Sequence, residues 1–330
     1  MVSTDQGVTY SLVYTYPVPD FANGYLQDYC QFCFGGDGLG NYGVHVTADQ
    51  GSYITGDLGP HVAFVPILGL GSFGTPTEAQ LDAFDNLDQT PCITASEDGR
   101  VWSFGHLSGL GPGFSPAPSS GITSTRVTFK SPGPIDQNYA GPWDVSITNL
   151  LNESIVYPTY DSQPAFGLWD PPRSILYDDK RKALYVLTMA NTPYFSQNVS
   201  IYFSLSRNNG HTWSKAINIA NTEVANRGFE SMALDPVRGD LVFGWYDGRN
   251  DKTFQSLEYF AGYIPACTLD QMVNEIPLSN PIYVLPSSVQ SGQSGVSSHA
   301  VSQKNMAQSM HMMLRIKTRL ERIHGLCQKK

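Results

Sequence analysis

The stretch IYFSLSRNNGHTWSKAINI (Ile201–Ile219) is a β-branched and aromatic run that stops at a polar turn, passes Trp213 and resumes as a second run. Ser206 and Asn208 carry short polar side chains that hydrogen-bond local backbone N–H groups. Gly210 tolerates a backbone shape that a β-carbon penalises. The stretch therefore reads as a hairpin, and its turn reduces to the pattern Ser/Thr-x-Asp/Asn-x-Gly-x-x-aromatic.

The pattern recurs at Ser3-Thr-Asp5-Gln-Gly7-Val-Thr-Tyr10 and at Thr47-Ala-Asp49-Gln-Gly51-Ser-Tyr-Ile54. A weaker version, Ala95-Ser-Glu97-Asp-Gly99-Arg-Val-Trp102, lacks the hydroxyl and the Asp in register and reads instead as the first hairpin of a repeat. The three glycines at 7, 51 and 210 fit a period of roughly 45–50 residues, the length of a four-stranded propeller blade. A second repeat agrees in phase. Arg173–Met189, Arg227–Asp251 and Pro91–His106 each read as strand, charged turn, strand. After the first of these, the Ser206 turn falls between the third and fourth strands of one unit.

These turns resemble the Asp boxes of the sialidase-like, or bacterial-neuraminidase-repeat, β-propeller superfamily, over most of residues 1–265. The resemblance implies an all-β fold: a β-propeller of five or six four-stranded blades with Asp-box hairpins at the blade periphery. Residues 1–275 would form the propeller, starting mid-blade, as an N-terminally truncated member would. Gly7–Tyr16 would then pair with the last blade to close the ring. Residues 276–303 read as a Ser/Gly-rich linker or outer segment. Residues 304–330 read as a basic amphipathic helix, with Met313, Ile316, Leu320, Ile323 and Cys327 at helical spacing.

Charge restricts the partners. Residues 1–303 hold 13 basic and 28 acidic residues, a balance of −15, and the first basic residue is Arg100. The tail carries 7 basic residues and Glu321, a balance of +6. The acidic body argues against a nucleic-acid partner. The basic tail helix is open to protein or membrane contact. No run of 18 apolar residues and no signal peptide is visible. The resemblance nevertheless favours a secreted or cell-surface protein, for which Asn152-Glu-Ser154 and Asn198-Val-Ser200 would be glycosylation acceptors.

The other motifs are weak. Gly69-x-Gly71-x-x-Gly74 matches a dinucleotide fingerprint, but the helix signal at Thr75, Pro76 and Glu78 starts too late for its N–H groups to meet a phosphate. The reading is a long loop with a short capped helix. The five cysteines form no disulfide framework, and Cys30-Gln-Phe-Cys33 lacks a second pair, so they read as buried or incidental thiols. The seven histidines are scattered. No cofactor or metal is expected.

A sialidase of the resembled superfamily binds its substrate carboxylate with three converging arginines and attacks with a Tyr–Glu pair. Its first arginine sits in an Arg-Ile-Pro context that this chain lacks. The remaining candidates are Arg173 and Arg227, each entering the first strand of a blade, with Glu230, Arg249 and Tyr259 beside Glu258. The alternative role for these arginines is structural, pairing with the many acids. The resemblance implies a glycan or glycoconjugate partner. The missing motif favours a protein that binds or scaffolds with weak or no hydrolysis; the alternative is an exo-α-sialidase, a glycoside hydrolase built on an axial arginine cluster.

Overall fold

The computed structural model describes residues 25–52, 56–69, 71–80, 87–107, 125–130, 144–149, 174–191, 199–220, 225, 227–235, 237–250, 257–273, 283–284 and 289–291. The turn at Ser3–Tyr10, the strand read at Gly7–Tyr16, Arg173, Asn152, Asn198 and the tail at 304–330 lie outside them.

The described residues are almost entirely β, in four antiparallel sheets with one short helix. The first sheet has the order β1 (Tyr25–Gly36), β2 (Tyr42–Ser52), β3 (Gly56–Gly69), β4 (Ser72–Phe73), with β5 (Thr77–Gln80) also on β3. The second is β6 (Leu87–Ala95), β7 (Val101–Leu107), β8 (Thr125–Lys130), β9 (Asp144–Asn149). The third is β10 (Ser174–Asp178), β11 (Ala183–Asn191), β12 (Val199–Ser206), β13 (Ile217–Asn218). The fourth runs β14 (Arg227–Leu234), β15 (Leu241–Asp247), β16 (Leu257–Ile264), followed by α1 (Ala266–Val273) and two short strands on β16, β17 (Tyr283–Val284) and β18 (Val289–Ser291). The main path of every sheet therefore joins sequence neighbours, with β5 and β18 added on β3 and β16. The chain divides into two compact units, Met1–Tyr157 with Asp170–Thr188 and Phe203–Ile217, and the remainder.

The Ser206 turn joins the third and fourth strands of its sheet, as the sequence predicts. Ser206 Oγ accepts from Gly210 N at 2.9 Å and donates to Asn208 Oδ1 at 3.0 Å. Asn208 Oδ1 in turn accepts from Thr212 N at 2.9 Å. Asn209 and Gly210 hold φ of 60° and 89°, the left-handed region that Asn and Gly enter most cheaply. Ser206 is fully buried, so its hydroxyl stands in for water on the Gly210 N–H. Ser206→Ala leaves that N–H unmet and is expected to cost about 1–2 kcal/mol, read as a lower urea midpoint at unchanged slope.

The first hairpins also form where the sequence places them, each on an acidic turn. Asp178 Oδ1 accepts from the N–H groups of Lys180 and Arg181, and its Oδ2 meets Arg181 Nη1 at 2.7 Å. Asp235 repeats this with Val237 N, Arg238 N and Arg238 Nε. At the β6–β7 turn, Ser96 Oγ donates to Asp98 and accepts from Arg100 N. The hydroxyl and carboxylate that this turn lacks in the box register are thus supplied one residue later.

Four expectations need correction. Thr47–Ser52 is not a turn: Asp49 pairs with Asp28 on one side and Pro60 on the other, so β2 runs through it. Ladder bonds on both edges outweigh the local turn preference of Asp-Gln-Gly. The short helix expected from Thr75 is strand β5, because Thr77–Gln80 pairs with Phe64–His61 of β3. The outer edge of β16, expected for Gly7–Tyr16, is taken by β17 and β18. Finally, Cys267 is disulfide-bonded, while Cys33 and Cys92 carry thiols outside any disulfide. A disulfide depends on spatial approach, which cysteine spacing does not encode.

Within the first unit the leading strands of successive sheets meet closely. A Cβ on Gly35 of β1 would sit 2.7 Å from Ala95 Cβ of β6. Tyr177 N of β10 donates to Thr94 Oγ1 of β6 at 2.9 Å, and Trp102 stacks on Tyr177 at 4.1 Å. Trp102, Tyr185 and Phe203 are fully buried, each such burial worth about 1.5–3 kcal/mol. Among the described residues no helix is long and apolar enough to cross a membrane.

Candidate functional site

The candidate residues that fall in the described part lie on the fourth sheet or, for Arg249, in the turn after β15. Arg227 opens β14, and the register sets it directly opposite Asp247, which closes β15; Asp247 is in turn opposite Glu258 of β16. The next row holds Gly228, Tyr246 and Tyr259. Adjacent rows of a pleated sheet project to opposite faces. Arg227 and Asp247 therefore share one face, and Tyr246 and Tyr259 the other. Glu230 lies in the irregularity between Gly228 and Ser231 and is 2% exposed.

Asp247 organises the first face. Its Oδ2 accepts from Arg227 Nε at 2.8 Å, from Trp245 Nε1 at 2.9 Å and from Arg249 Nη2 at 2.5 Å. Its Oδ1 accepts from Arg249 N at 2.9 Å. Arg249 Nη2 also donates to Ala220 O at 2.9 Å, and the guanidinium lies 4.2 Å from the centre of the Phe260 ring. Arg227 and Asp247 are both 0% exposed. Burial raises the Asp247 pKa, but the hydrogen bond from Arg249, the charge of Arg227 and the Trp245 N–H outweigh it, and the carboxyl is held below its ordinary value.

The second face is built differently. Tyr259 packs edge-on against Tyr246 at 5.3 Å, and a Cβ added at Gly244 would run into its hydroxyl. Burial raises the Tyr259 pKa, partly offset by a hydrogen bond from Ser231. Glu258 instead accepts from Asn250 Nδ2 at 2.8 Å. The pleat thus separates Glu258 from the Tyr259 hydroxyl, so this pair lacks the geometry in which a carboxylate draws the proton from a phenol.

Arg227 and Arg249 are thus brought together, on a carboxylate; Tyr259 is on the opposite face, and Arg173 lies outside the described residues. Asp247 escaped the sequence reading. The signal was present in Asp247-Gly-Arg249, where an Asp two residues before an Arg can accept its backbone N–H. Among the described residues, no group of three or more His, Cys, Asp or Glu could hold a metal ion.

No protein-family model and no curated protein matches the chain. Among solved structures, it is similar to a protein of unknown function from Dyadobacter fermentans (14% identity, 73% of this chain and 66% of that one, TM-score 0.45). It is also similar to an α-L-arabinofuranosidase from Fusarium graminearum (14% identity, 75% of this chain and 64% of that one, TM-score 0.44). A third is a Hadza microbial sialidase (11% identity, 74% of this chain and 48% of that one, TM-score 0.40). The chain spans less than two thirds of the length of each.

Proposed function

We propose that this chain is a glycan-directed protein of the sialidase-like propeller type that binds or scaffolds, with weak or no hydrolysis of sialosides. The repeated four-stranded meander and the Ser206 turn, which we read as an Asp box, support a propeller of five or six blades. The observation that carries the functional reading is the state of the arginines. A carboxylate-binding cluster needs guanidinium forks open to the ligand. Arg227 is fully buried and Arg249 is partly buried, and both are ion-paired to Asp247. Tyr259 faces away from them and its proton is held more tightly than usual. The disulfide at Cys267 fits an oxidising compartment, in line with a secreted or cell-surface protein.

The test is a fluorogenic sialoside assay run beside a glycan-binding screen, each repeated with Arg227→Ala and Arg249→Ala after circular dichroism has confirmed folding. The expected result is turnover at background in the parent with retained glycan binding. Robust parent turnover abolished by Arg249→Ala in a folded protein would establish the exo-α-sialidase reading instead.

A further inference from the structure

The turn between β12 and β13 carries a reactive pair, Asn209-Gly210. In such a pair the glycine backbone nitrogen can attack the side-chain amide carbon of the asparagine, because no Cβ on the glycine stands in the way. A bond forms between that nitrogen and the amide carbon. The bond from the carbon to the side-chain NH2 breaks, and the group leaves as ammonia with the proton shed by the backbone nitrogen. The cyclic imide left behind takes up a water and reopens to aspartate or to isoaspartate, in which the main chain runs through the side-chain carbons. The fold opposes the first step. The attacking atom is Gly210 N, and its hydrogen is held by Ser206 Oγ at 2.9 Å. Ser206 is 1% exposed and Gly210 is buried, so a base in solution does not reach this N–H. The turn is also clamped on either side of Asn209. Thr212 N donates to Asn208 Oδ1 and Asn208 Nδ2 donates to Thr212 Oγ1, both at 2.9 Å, and Ser214 N donates to Leu205 O at 2.8 Å. Asn209 itself stands at the tip, partly exposed, with φ of 60°.

We propose that Asn209 is a latent deamidation site, closed by the Ser206 hydroxyl and reactive only when the turn lets go. The adjacent asparagine is not such a site: the Asn208 amide is tied to Thr212, and the residue after it carries a Cβ. Opening of a surface turn is a local event that leaves the rest of its sheet in place. The rate of conversion therefore follows the fraction of time that the Gly210 N–H is released from Ser206. Loss of one buried hydrogen bond changes that fraction about 5- to 30-fold. The product makes each opening consequential. Isoaspartate adds a carbon to the main chain ahead of Gly210, so the Ser206–Gly210 and Asn208–Thr212 bonds no longer fit the same turn. The hairpin of β12 and β13 then does not close again, and conversion accumulates as irreversible loss. Aspartate keeps the main chain but adds a negative charge to a body that balances at −15 over residues 1–303.

The experiment incubates the full chain at mildly alkaline pH, native and in guanidinium, and follows a tryptic digest by mass spectrometry. Cleavage after Arg207 and after Lys215 releases Asn208–Lys215. Fragment masses of that peptide place the amide-to-acid conversion at Asn208 or Asn209 and separate aspartate from isoaspartate. The expected result is conversion at Asn209 that is slower in the native chain than in guanidinium by at least about 5- to 30-fold. Ser206→Ala, folded by circular dichroism, should recover about that factor without denaturant. Gly71→Ala is the control for general loss of stability, since its φ of 75° strains a turn of the first sheet, and it should leave Asn209 at the parental rate. Hydrogen exchange at Gly210 in the parent gives a reading that needs no variant, with strong protection expected. Native conversion at the denatured rate overturns the proposal, as does an unprotected Gly210 N–H. So does a folded Ser206→Ala protein that converts at the parental rate. Equal acceleration in Gly71→Ala would place the protection in global stability rather than in the Ser206 bond, and overturns it too.

Discussion

Asp247→Ala is expected to cost about 3–5 kcal/mol, because it removes a fully buried carboxylate that is ion-paired to a fully buried guanidinium. For a chain of this size that corresponds to a fall in melting temperature of roughly 4–7 °C. The loss is large because one carboxylate serves three side chains: Arg227, Arg249 and Trp245 all donate to Oδ2. Replacing an arginine instead leaves the carboxylate with its other donors, so Arg249→Ala is expected to cost less. Acid should expose the same network. The Asp247 pKa is depressed in the folded state, so its contribution is complete above the unfolded carboxylate value near 3.9 and is lost as pH falls through the folded value. Asp247→Ala should therefore flatten that part of the acid limb in a pH series of urea midpoints. An Asp247→Ala protein as stable as the parent, with the same acid limb, would show that the arginines are held in some other way and would reopen their role in ligand binding.

Gly99→Ala is expected to cost about 2–5 kcal/mol through two separate effects. Gly99 has φ of 82°, where an L-residue pays about 1–2 kcal/mol. Its added Cβ would also run into the carbonyl carbon of Asp37 and the nitrogen of Gly38, backbone atoms of the first sheet's turn that cannot rotate away. Overpacking of that kind adds about 1–3 kcal/mol. Gly71→Ala separates the two effects, since Gly71 has a similar φ of 75° with nothing within 4 Å of the added Cβ. Calorimetry of both variants should show Gly99→Ala as the clearly more damaging. Equal losses would mean that the two turns do not rest on each other and that backbone strain alone sets the cost.

The recurrent turns illustrate where sequence reading succeeds. Around Ser206, Asp178 and Asp235 every decisive hydrogen bond lies within a few residues of its partner. Residue types in order are enough to specify such a turn, and all three hairpins form as read. The same pattern misleads at Thr47–Ile54, where β1 and β3 flank β2 and supply partners to its backbone on both sides. Helix α1 was missed for a related reason. Ala266-Cys-Thr-Leu-Asp-Gln-Met-Val is short, and its first N–H is met by Asp240, a residue 26 positions earlier.

The site divides along the same line. Arg227, Glu230, Arg249 and Tyr259 were legible as candidates, because few arginines exist and their strand positions repeat. Their chemical state was not. The sequence by itself determined an all-β chain of repeated hairpins, the turns that close them, and a short set of residues able to meet a carboxylate. The tertiary structure decided that the carboxylate they meet is Asp247 of the same sheet, and that Tyr259 stands on the other side of it. The physical reason is that turn chemistry acts over neighbouring residues, whereas desolvation and ion pairing depend on strand register, which sets Arg227 opposite a residue 20 positions away.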